Sequence, residues 1–337
     1  YVPVNWADSI NIKTGRPVLT KHGWYKDKPS YIFPGPAGGH NWQPMSYHPT
    51  TGLVYIPTLD LPFLYLPRPA YSFRPGYGNI GVDMLPAPLP EHLQEFAKGW
   101  PEPEGDVLKA WDPIKQKEVW RVKSQSAFLG GVLSTDGNLV INGSGSGQLI
   151  VYKADTGEKL KEIETGTGIL AAPVTYSVDG EQYVAVMAGY GGAVLIFPDS
   201  SSAVSRFRNT GRILAFKLGG GTTPLPAPQN RPTLVPEPPR GNSDRKVIET
   251  GKTLYNTLCF DCHFALDETH LSELPDLSMM TRSTHDDFLN ILLKGKLKHY
   301  GMASFEDVLT EEDAEALHQY LISVQHKRFE KQQKEKR

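Results

Sequence analysis

The sequence contains very little cysteine, since Cys259 and Cys262 are the only two thiols in its 337 residues. It also lacks a charge imbalance: 35 Lys and Arg residues stand against 37 Asp and Glu residues, and the formal net charge is −2. That balance excludes the basic surface typical of nucleic-acid binding. No apolar run reaches the length that a membrane-spanning helix requires. What remains is a globular composition with a length sufficient for two domains.

The two cysteines lie in one motif, Cys259-Phe260-Asp261-Cys262-His263. A Cys-x-x-Cys-His run is the attachment signature of c-type haem, in which each thiol adds to one vinyl group and the histidine becomes the proximal iron ligand. The same spacing also occurs in disulfides, redox dithiols and zinc half-sites. No second cysteine pair is present to complete a zinc site, and the flanks have a helical pattern rather than a βαβ one. The motif therefore predicts haem c, with Cys259 and Cys262 as its thioether residues.

An electron-carrying haem needs a second axial ligand, and a thioether raises its potential. Met302, which follows Gly301, is the candidate. Core packing is the common alternative role for a methionine. Met279 and Met280 also follow the motif, but they precede a predicted helix and have no neighbouring glycine to admit a flat macrocycle. We expect His263 and Met302 to bind the haem iron.

Residues 1–221 have an all-β pattern. Short runs rich in Val, Ile, Tyr and Thr alternate with turns, in keeping with 32 glycines and 28 prolines in the chain. The segment that begins at Ala110-Trp111-Asp112 is repeated 44 residues later at Ala154-Asp155-Thr156-Gly157, and residues 11–17 form a partial third copy. A period in the forties is typical of a four-stranded β-propeller blade. Shared turn chemistry among unrelated hairpins is the alternative explanation.

The remainder of the chain changes in character twice. Residues 222–245 form a proline-rich linker, in which seven prolines lie between Pro224 and Pro239. Residues 246–326 have helical periodicity and the size of an all-α cytochrome c domain. Three helices are predicted there: one that ends at the Cys259 motif, one over 286–293 capped by Thr284 and stopped by Gly295, and one capped by Thr310. Residues 327–337 form a charged tail, which either is a solvated helix end or docks on an acidic partner.

These features together resemble the soluble quinohaemoprotein alcohol dehydrogenases, which use pyrroloquinoline quinone (PQQ) and haem c. The resemblance rests on residues 2–7, 39–46, 165–168, 189–193 and 211–216, followed by the linker and the Cys-x-x-Cys-His domain. It implies the later blades of an eight-bladed PQQ propeller, with PQQ and Ca²⁺ on the propeller axis and a cytochrome c domain over the site. The stretch Pro275-Asp276-Leu277 also matches, but Ser278 stands where the family commonly has Arg.

The resemblance also implies individual site residues. Asn41 and Trp42 would border the PQQ carbonyls, and Ala193 would approach the cofactor with its backbone, where neighbouring glycines leave room. An amide can donate to a quinone oxygen, and an indole offers an N–H and a ring face. Without the resemblance, Asn41-Trp42 would be interpreted as a turn followed by a core residue. Tyr190 and Phe128 stand where the family usually has Trp, and both would line the substrate pocket.

One part of the family pattern has no counterpart here. The blades that supply the catalytic Asp, the Ca²⁺ ligands, the lysine near the quinone and the vicinal disulfide are absent from the sequence, so no catalytic residue is expected in this chain. An open arc of blades would expose two sheet edges. We therefore expect a second chain carrying the N-terminal blades, and a truncated product or gene fragment is the competing explanation. The chain begins at Tyr1, which indicates a removed leader or a start within a longer gene product.

The implied function is oxidation of an alcohol by PQQ, with electrons passing to haem c and then to an external cytochrome, copper protein or quinone. Haem c is attached outside the bacterial cytoplasm, so the expected location is the bacterial periplasm. Two alternatives remain open. A haem d1 nitrite reductase would need ligands for a second haem in the propeller, and no such set is evident. A non-enzymatic c-type electron carrier would use the partial propeller only as a docking module.

Overall fold

The chain divides into a β unit and an α unit. The computed structural model describes residues 1–68, 70–73, 79–125, 128–191, 200–242, 244–260, 262–263 and 274–335. By their internal contacts, Tyr1–Ser72 and Ile80–Gln229 form the β unit, and Phe73–Asn79 and Asn230–Arg337 form the α unit. The range 222–245, predicted as a linker, is thus shared between the two units.

The β unit is built from small antiparallel sheets. In chain order, the strands of the described residues are β1 (Ala7–Asn11), β2 (Arg16–Leu19), β3 (Ser30–Ile32), β4 (Ser46–His48), β5 (Leu53–Asp60), β6 (Phe63–Pro67), β7 (Val82–Pro86), β8 (Gly105–Asp112), β9 (Lys117–Lys123), β10 (Leu129–Thr135), β11 (Leu139–Ser144), β12 (Gln148–Lys153), β13 (Lys159–Glu164), β14 (Val174–Val178), β15 (Glu181–Ala188) and β16 (Arg212–Phe216). They pair in the orders β1-β2, β3-β6-β7, β4-β5-β8-β9, β10-β11-β12-β13 and β14-β15-β16. The predicted all-β character of the N-terminal region is confirmed.

Tight hairpin turns set the register of these sheets. Asp179 and Gly180 join β14 to β15 with φ of 51° and 80°. Two consecutive left-handed residues give the turn whose twist matches that of paired strands, and Asp-Gly is a preferred sequence for it. The pairing of Val178 with Glu181 and of Val174 with Ala185 follows directly from this two-residue turn.

The four-stranded sheets pack face to face through the repeated sequence segment. Trp120 of β9 and Tyr55 of β5 lie in one buried cluster with Val132 and Val140 of the next sheet. The Trp120 indole N–H and the Tyr55 hydroxyl each donate to the carbonyl oxygen of Ala154, at 2.9 Å. The two copies of the repeat therefore meet at the boundary between successive sheets, which is the arrangement of neighbouring propeller blades.

The glycine of the repeat is explained by the same boundary. Gly157 has φ of 75°, and a Cβ there would lie 2.7 Å from the indole ring of Trp120. Both the backbone conformation and the close approach of the ring require glycine at this position.

A second buried cluster joins β10-β13 to the following sheet. Ile141, Leu149 and Ile169 pack there against Val186 and Ala188 of β15. The three-stranded sheet β14-β15-β16 thus turns one face toward the preceding blade. Two successive sheet-to-sheet interfaces of this kind make the β unit a row of stacked blades.

The α unit contains helices α1 (Arg245–Leu258), α2 (Arg282–Asp286), α3 (Phe288–Leu292) and α4 (Glu311–Glu335). At the start of α4, the Asp313 N–H donates to Thr310 Oγ1 and the Thr310 N–H donates to an Asp313 carboxylate oxygen, both at 3.1 Å. This reciprocal pair confirms the predicted capping box. No helix in the described parts of the chain is both long and apolar enough to cross a membrane.

The prediction of a single second helix capped by Thr284 is wrong. Thr281 caps α2 by accepting from the Thr284 N–H at 3.3 Å. Asp287 then leaves the helical region, with φ of −105° and ψ of 7°, and α3 begins after it. Aspartate favours helix starts over helix interiors because its side chain competes for backbone groups. Gly295 follows α3 with φ of 65°.

Helices α1 and α4 cross at a glycine. A Cβ on Gly251 would lie only 2.0 Å from the carbonyl oxygen of Ala316. One turn further along, the rings of Tyr255 and Tyr320 have centroids 5.5 Å apart. Tyr255 also shares a buried cluster with Leu317 of α4. The close crossing therefore organises the core of the α unit.

Side chains of α4 bind the proline-rich segment along residues 233–242. Gln332 accepts from the Val235 N–H at 3.0 Å, and Gln325 donates to the Pro236 carbonyl at 2.9 Å. Gln319 accepts from the Asn242 N–H at 2.7 Å. The segment thus runs antiparallel to α4, and the helix continues through Glu335 into the predicted charged tail.

We predict that Gly251→Ala destabilises the α unit. Overpacking costs about 1–3 kcal/mol, which outweighs the ~1 kcal/mol that alanine gains over glycine in helix propensity. Denaturant unfolding followed by far-ultraviolet circular dichroism measures the change. Gly221→Ala is the control, because no atom lies within 4 Å of a Cβ built there. A Gly251→Ala protein as stable as the parent would contradict the tight crossing.

Candidate cofactor sites

The Cys-x-x-Cys-His motif forms a backbone turn at the C-terminal end of α1. The Cys259 N–H donates to the Tyr255 carbonyl at 2.9 Å, which continues the helical pattern to the first cysteine. The N–H groups of Cys262 and His263 then both donate to the Cys259 carbonyl, at 3.2 and 2.8 Å. The turn brings the second cysteine and the histidine back over the helix end. Asp261, within the motif, lies outside the described residues.

The imidazole of His263 is fixed by one of its two nitrogens. Nδ1 lies 2.8 Å from the carbonyl oxygen of Pro275. A carbonyl can only accept, so Nδ1 carries the hydrogen and Nε2 keeps its lone pair for a metal. His263 is 8% exposed, and burial lowers the pKa of its imidazole. The neutral ring that an iron ligand requires is therefore the favoured form.

The environment of the thiols disfavours redox or zinc-thiolate chemistry. Both cysteines are free, with Cys259 buried and Cys262 exposed. Burial raises the pKa of the Cys259 thiol to about 12, whereas reactive dithiols and zinc sites use thiolates. The described residues also contain no group of three or more His, Cys, Asp or Glu side chains arranged for a metal ion.

Met302 lies in a loop that is held against the end of α3. Gly301 adopts φ of 95°, which turns the chain before Met302. The Phe305 N–H donates to the Leu292 carbonyl at 2.9 Å, and the Ser304 hydroxyl donates to the Leu293 carbonyl at 2.6 Å. Met302 packs against the buried cluster that contains Cys259. The structure thus brings Met302 and the motif to one apolar region, and its role as iron ligand stays a prediction.

The quinone residues predicted by resemblance occupy an exposed loop before β4. Asn41 Nδ2 donates to the Ala37 carbonyl at 2.9 Å, and Trp42 leaves 55% of its side chain exposed. An exposed indole face beside an amide suits a flat ligand with carbonyl oxygens. Ala193 lies outside the described residues. Asn41 and Trp42 therefore remain predicted PQQ contacts.

Phe128 and Tyr190, predicted to line the substrate pocket, lie together in one apolar cluster. Tyr190 is 1% exposed, and Phe128 packs against the cluster that it forms with Leu170 and Val204. Phe128 has φ of 67°, a conformation that bulky residues rarely adopt. Strained backbone of this kind concentrates at functional sites. The substrate-pocket role of both residues stays a prediction.

One set of contacts beside the His263 site is not evident from the sequence. Arg328 of α4 donates to the carboxylate of Asp276 and, at 2.6 Å, to the hydroxyl of Ser278. Asp276 directly follows Pro275, whose carbonyl orients His263. The sequence shows the matched Pro275-Asp276-Leu277 stretch, but nothing in it links that stretch to a residue of the charged tail.

Two family profiles match the chain. Residues 92–184 match the β-propeller domain of PQQ-dependent glucose, ethanol and alcohol dehydrogenases. Residues 246–321 match the cytochrome c oxidase cbb3-type subunit III family. The first match lies in the stacked sheets, and the second covers the Cys-x-x-Cys-His motif, Met302 and the first part of α4.

Longer relatives contain both parts in this order. Quinohaemoprotein alcohol dehydrogenase ADH-IIG of Pseudomonas putida is 42% identical over 333 residues, which is 96% of this chain and 45% of that protein. Over almost its whole length, this chain is therefore similar to quinohaemoprotein alcohol dehydrogenases. The solved ADH-IIG structure superposes with a TM-score of 0.76 at 40% identity and covers 96% of this chain and 47% of that one. The quinohaemoprotein alcohol dehydrogenase of Comamonas testosteroni gives 0.67 at 32% identity, with 97% and 47% covered.

The two profile matches confirm the predicted fold class. The β unit is a partial PQQ-type propeller, and the α unit is a cytochrome c domain. The chain spans slightly less than half the length of the quinohaemoprotein dehydrogenases that it matches.

PQQ and haem c are the cofactors that these two domain types hold, and the described residues fit both. For haem c, the decisive fit is the His263 ring, whose Nδ1 is committed to Pro275 and whose Nε2 is left for iron. Two cysteines on the same turn supply the attachment points. For PQQ, the fit is the exposed Trp42 ring next to the Asn41 amide.

We predict that Met302→Ala lowers the reduction potential of the haem by on the order of 0.1 V, within the ~0.8 V range over which axial ligands tune haem iron. Loss of the thioether removes the ligand that favours ferrous iron. Spectroelectrochemical titration of the full chain measures the potential. Met280→Ala is the matched control, because Met280 is buried in the same cluster and is not an expected ligand. Equal potentials in the parent and Met302→Ala proteins would refute the ligand assignment.

Proposed function

We propose that this chain is the haem-carrying part of a PQQ-dependent alcohol dehydrogenase of the bacterial periplasm. The assembly would oxidise a primary or secondary alcohol and transfer the electrons through haem c to an external cytochrome, copper protein or quinone. The observation that carries the proposal is the ordered His263 ring in a chain whose other half matches a PQQ propeller.

When bound, PQQ supplies the hydride acceptor and haem c supplies a one-electron carrier. The protein residues hold and orient these groups. Cys259 and Cys262 anchor the porphyrin covalently, while Pro275 fixes the His263 ring for iron binding. The Asn41 amide would donate to a quinone oxygen, and the Trp42 ring would cover one face of the quinone.

Other parts of the site would come from elsewhere. Phe128 and Tyr190 form an apolar cluster suited to the carbon skeleton of an alcohol. The catalytic base and most Ca²⁺ ligands would belong to residues outside this chain, since the family relatives are about twice as long. We therefore propose that the working enzyme also contains the remaining propeller blades, carried by a second chain.

The exposed face of the sheet β14-β15-β16 supports this partner. Its other face packs on the preceding blade. On the exposed face, Met187 and Ile213 are direct cross-strand partners and are 65% and 79% exposed. Val174, Tyr176 and Val178 extend the same face along β14 and are 42–57% exposed. An apolar sheet face of this extent marks an interaction surface, and continuation of the stack would cover it with another blade.

The N-terminal hairpin β1-β2 has a similar character. Ile10 of β1 and Val18 and Leu19 of β2 are 46–56% exposed. Only two strands pair in this sheet among the described residues, whereas complete blades of the chain have four. Further strands from the partner would complete it.

A non-enzymatic electron carrier is the second candidate. The observation that favours it is that the chain spans only 45% of the relative's length. The catalytic carboxylate would then have to come from residues outside this chain. In that case the partial propeller would serve only as a docking module for a redox partner.

The enzymatic proposal is tested by alcohol-dependent dye reduction with the complete assembly. We expect activity that is lost when PQQ and Ca²⁺ are removed and regained when both are added. Trp42→Ala should raise the PQQ concentration for half-maximal activity several-fold, since aromatic contacts contribute about 0.5–1.5 kcal/mol beyond burial. Trp24→Ala is the matched control, because Trp24 is an equally exposed indole (66%) of the β unit.

Failure of any alcohol to support turnover, in a preparation that contains the remaining blades and fully attached haem, would favour the carrier. An unchanged PQQ requirement in Trp42→Ala, with turnover intact, would instead remove Trp42 from the quinone site.

The partner surface is tested by Met187→Lys combined with Ile213→Lys. Two charges on the apolar face should abolish copurification of the remaining blades, since an unpaired buried charge costs several kcal/mol. Ile114→Lys is the control, because Ile114 is 89% exposed in the turn between β8 and β9. Native mass spectrometry of each purified protein gives the composition. Retention of the partner by the double variant would exclude this face as the interface.

A further inference from the structure

Arg328, in the segment predicted as a charged tail, is a partly buried cation. Its side chain is 14% exposed, and the side chain of its partner Asp276 is 18% exposed. The two residues are 52 positions apart, so that the end of α4 reaches back to the loop before α2. A guanidinium at this depth contributes through fixed contacts rather than through general surface charge.

The contacts of Arg328 make the Asp276 loop rigid. One guanidinium nitrogen donates both to the Asp276 carboxylate and, at 2.6 Å, to the Ser278 hydroxyl. The other carboxylate oxygen of Asp276 accepts from the backbone N–H and hydroxyl of Ser278, at 2.8 and 2.7 Å. Ser278 is fully buried. One guanidinium nitrogen of Arg328 and one carboxylate oxygen of Asp276 therefore converge on Ser278.

The same loop carries the carbonyl that orients His263. Pro275 accepts from His263 Nδ1 at 2.8 Å and precedes Asp276 directly. Arg328 thus fixes the backbone one residue away from the contact that sets the tautomer of the proximal ligand. It also neutralises a carboxylate whose charge acts on the His263 ring.

We propose that Arg328 is a positioning residue of the haem site, which holds the Pro275 carbonyl against His263 and offsets the negative charge of Asp276, so that the haem potential stays high. An uncompensated carboxylate near the proximal ligand stabilises ferric iron over ferrous iron. The guanidinium offsets this charge, and its single donating nitrogen links Asp276 to Ser278. The inference rests on the proposed haem c site.

The test measures the haem reduction potential in the full chain by spectroelectrochemical titration, without any alcohol or quinone. Arg328→Gln should shift the potential downward, because Asp276 loses its partner. Asp276→Asn should shift it upward, because a buried guanidinium is left uncompensated. Combining both substitutions should return the potential toward the parent value. Arg328→Lys, which keeps the charge on a side chain of different reach, should give a smaller shift than Arg328→Gln.

Lys327→Gln is the matched control, because it removes one positive charge from the exposed side of the same helix turn. Equal shifts in Lys327→Gln and Arg328→Gln would overturn the proposal, as would shifts of the same sign in Arg328→Gln and Asp276→Asn. If Arg328→Gln fails to accumulate, Asp276→Asn and Arg328→Lys still decide the sign. Absence of covalent haem in the parent chain would refute the proposed function itself, which is a separate outcome.

Discussion

The hydrogen bond between His263 and the carbonyl oxygen of Pro275 is the contact on which the proposed haem site depends. It fixes the ring so that one defined nitrogen, Nε2, is available to the proposed iron. Burial of the ring keeps it neutral. The framework that makes this contact possible is the tight crossing of α1 and α4 at Gly251, since α1 carries the motif and α4 carries the residue that braces the Pro275 loop.

In the β unit, the corresponding constraint is the stacking of small sheets. Apolar side chains pack at the two boundaries described above. At one of them, the Tyr55 hydroxyl and the Trp120 indole N–H also donate to the same carbonyl oxygen, that of Ala154. A sheet with two apolar faces that packs through only one of them leaves the other face exposed to solvent. The exposed apolar side of β14-β15-β16 is therefore a property of the sheet geometry itself, and not of a few misplaced side chains.

The sequence allowed local features to be predicted well. The Cys-x-x-Cys-His motif and the cap of α4 at Thr310 each depend on residues that are only a few positions apart. The break at Asp287 was missed because apolar periodicity runs through it, whereas the aspartate side chain prefers to start a helix. Residue roles around PQQ came from resemblance, and Ala193 lies outside the described residues.

Contacts between distant positions could not be predicted. Nothing in the composition of residues 327–337 distinguishes Arg328 from its basic neighbours, because its partner Asp276 is fixed only by the path of α4. Ser278 stands where the family commonly has Arg, and a guanidinium reaches that serine from another helix. Such contacts depend on tertiary packing, and no spacing of residues in the sequence indicates them.

The proline-rich segment bound along α4 has a thermodynamic consequence. Proline has few conformations in the unfolded chain, so ordering residues 233–242 costs less conformational entropy than ordering a flexible segment of equal length. Proline also lacks an N–H and cannot donate to a neighbouring strand. The carbonyl oxygens of Pro236 and Pro239 instead accept hydrogen bonds from the side chains of Gln325 and His326. A handful of side-chain amides and one imidazole can therefore immobilise this stretch, and it melts together with the last turns of α4 rather than as an independent tether.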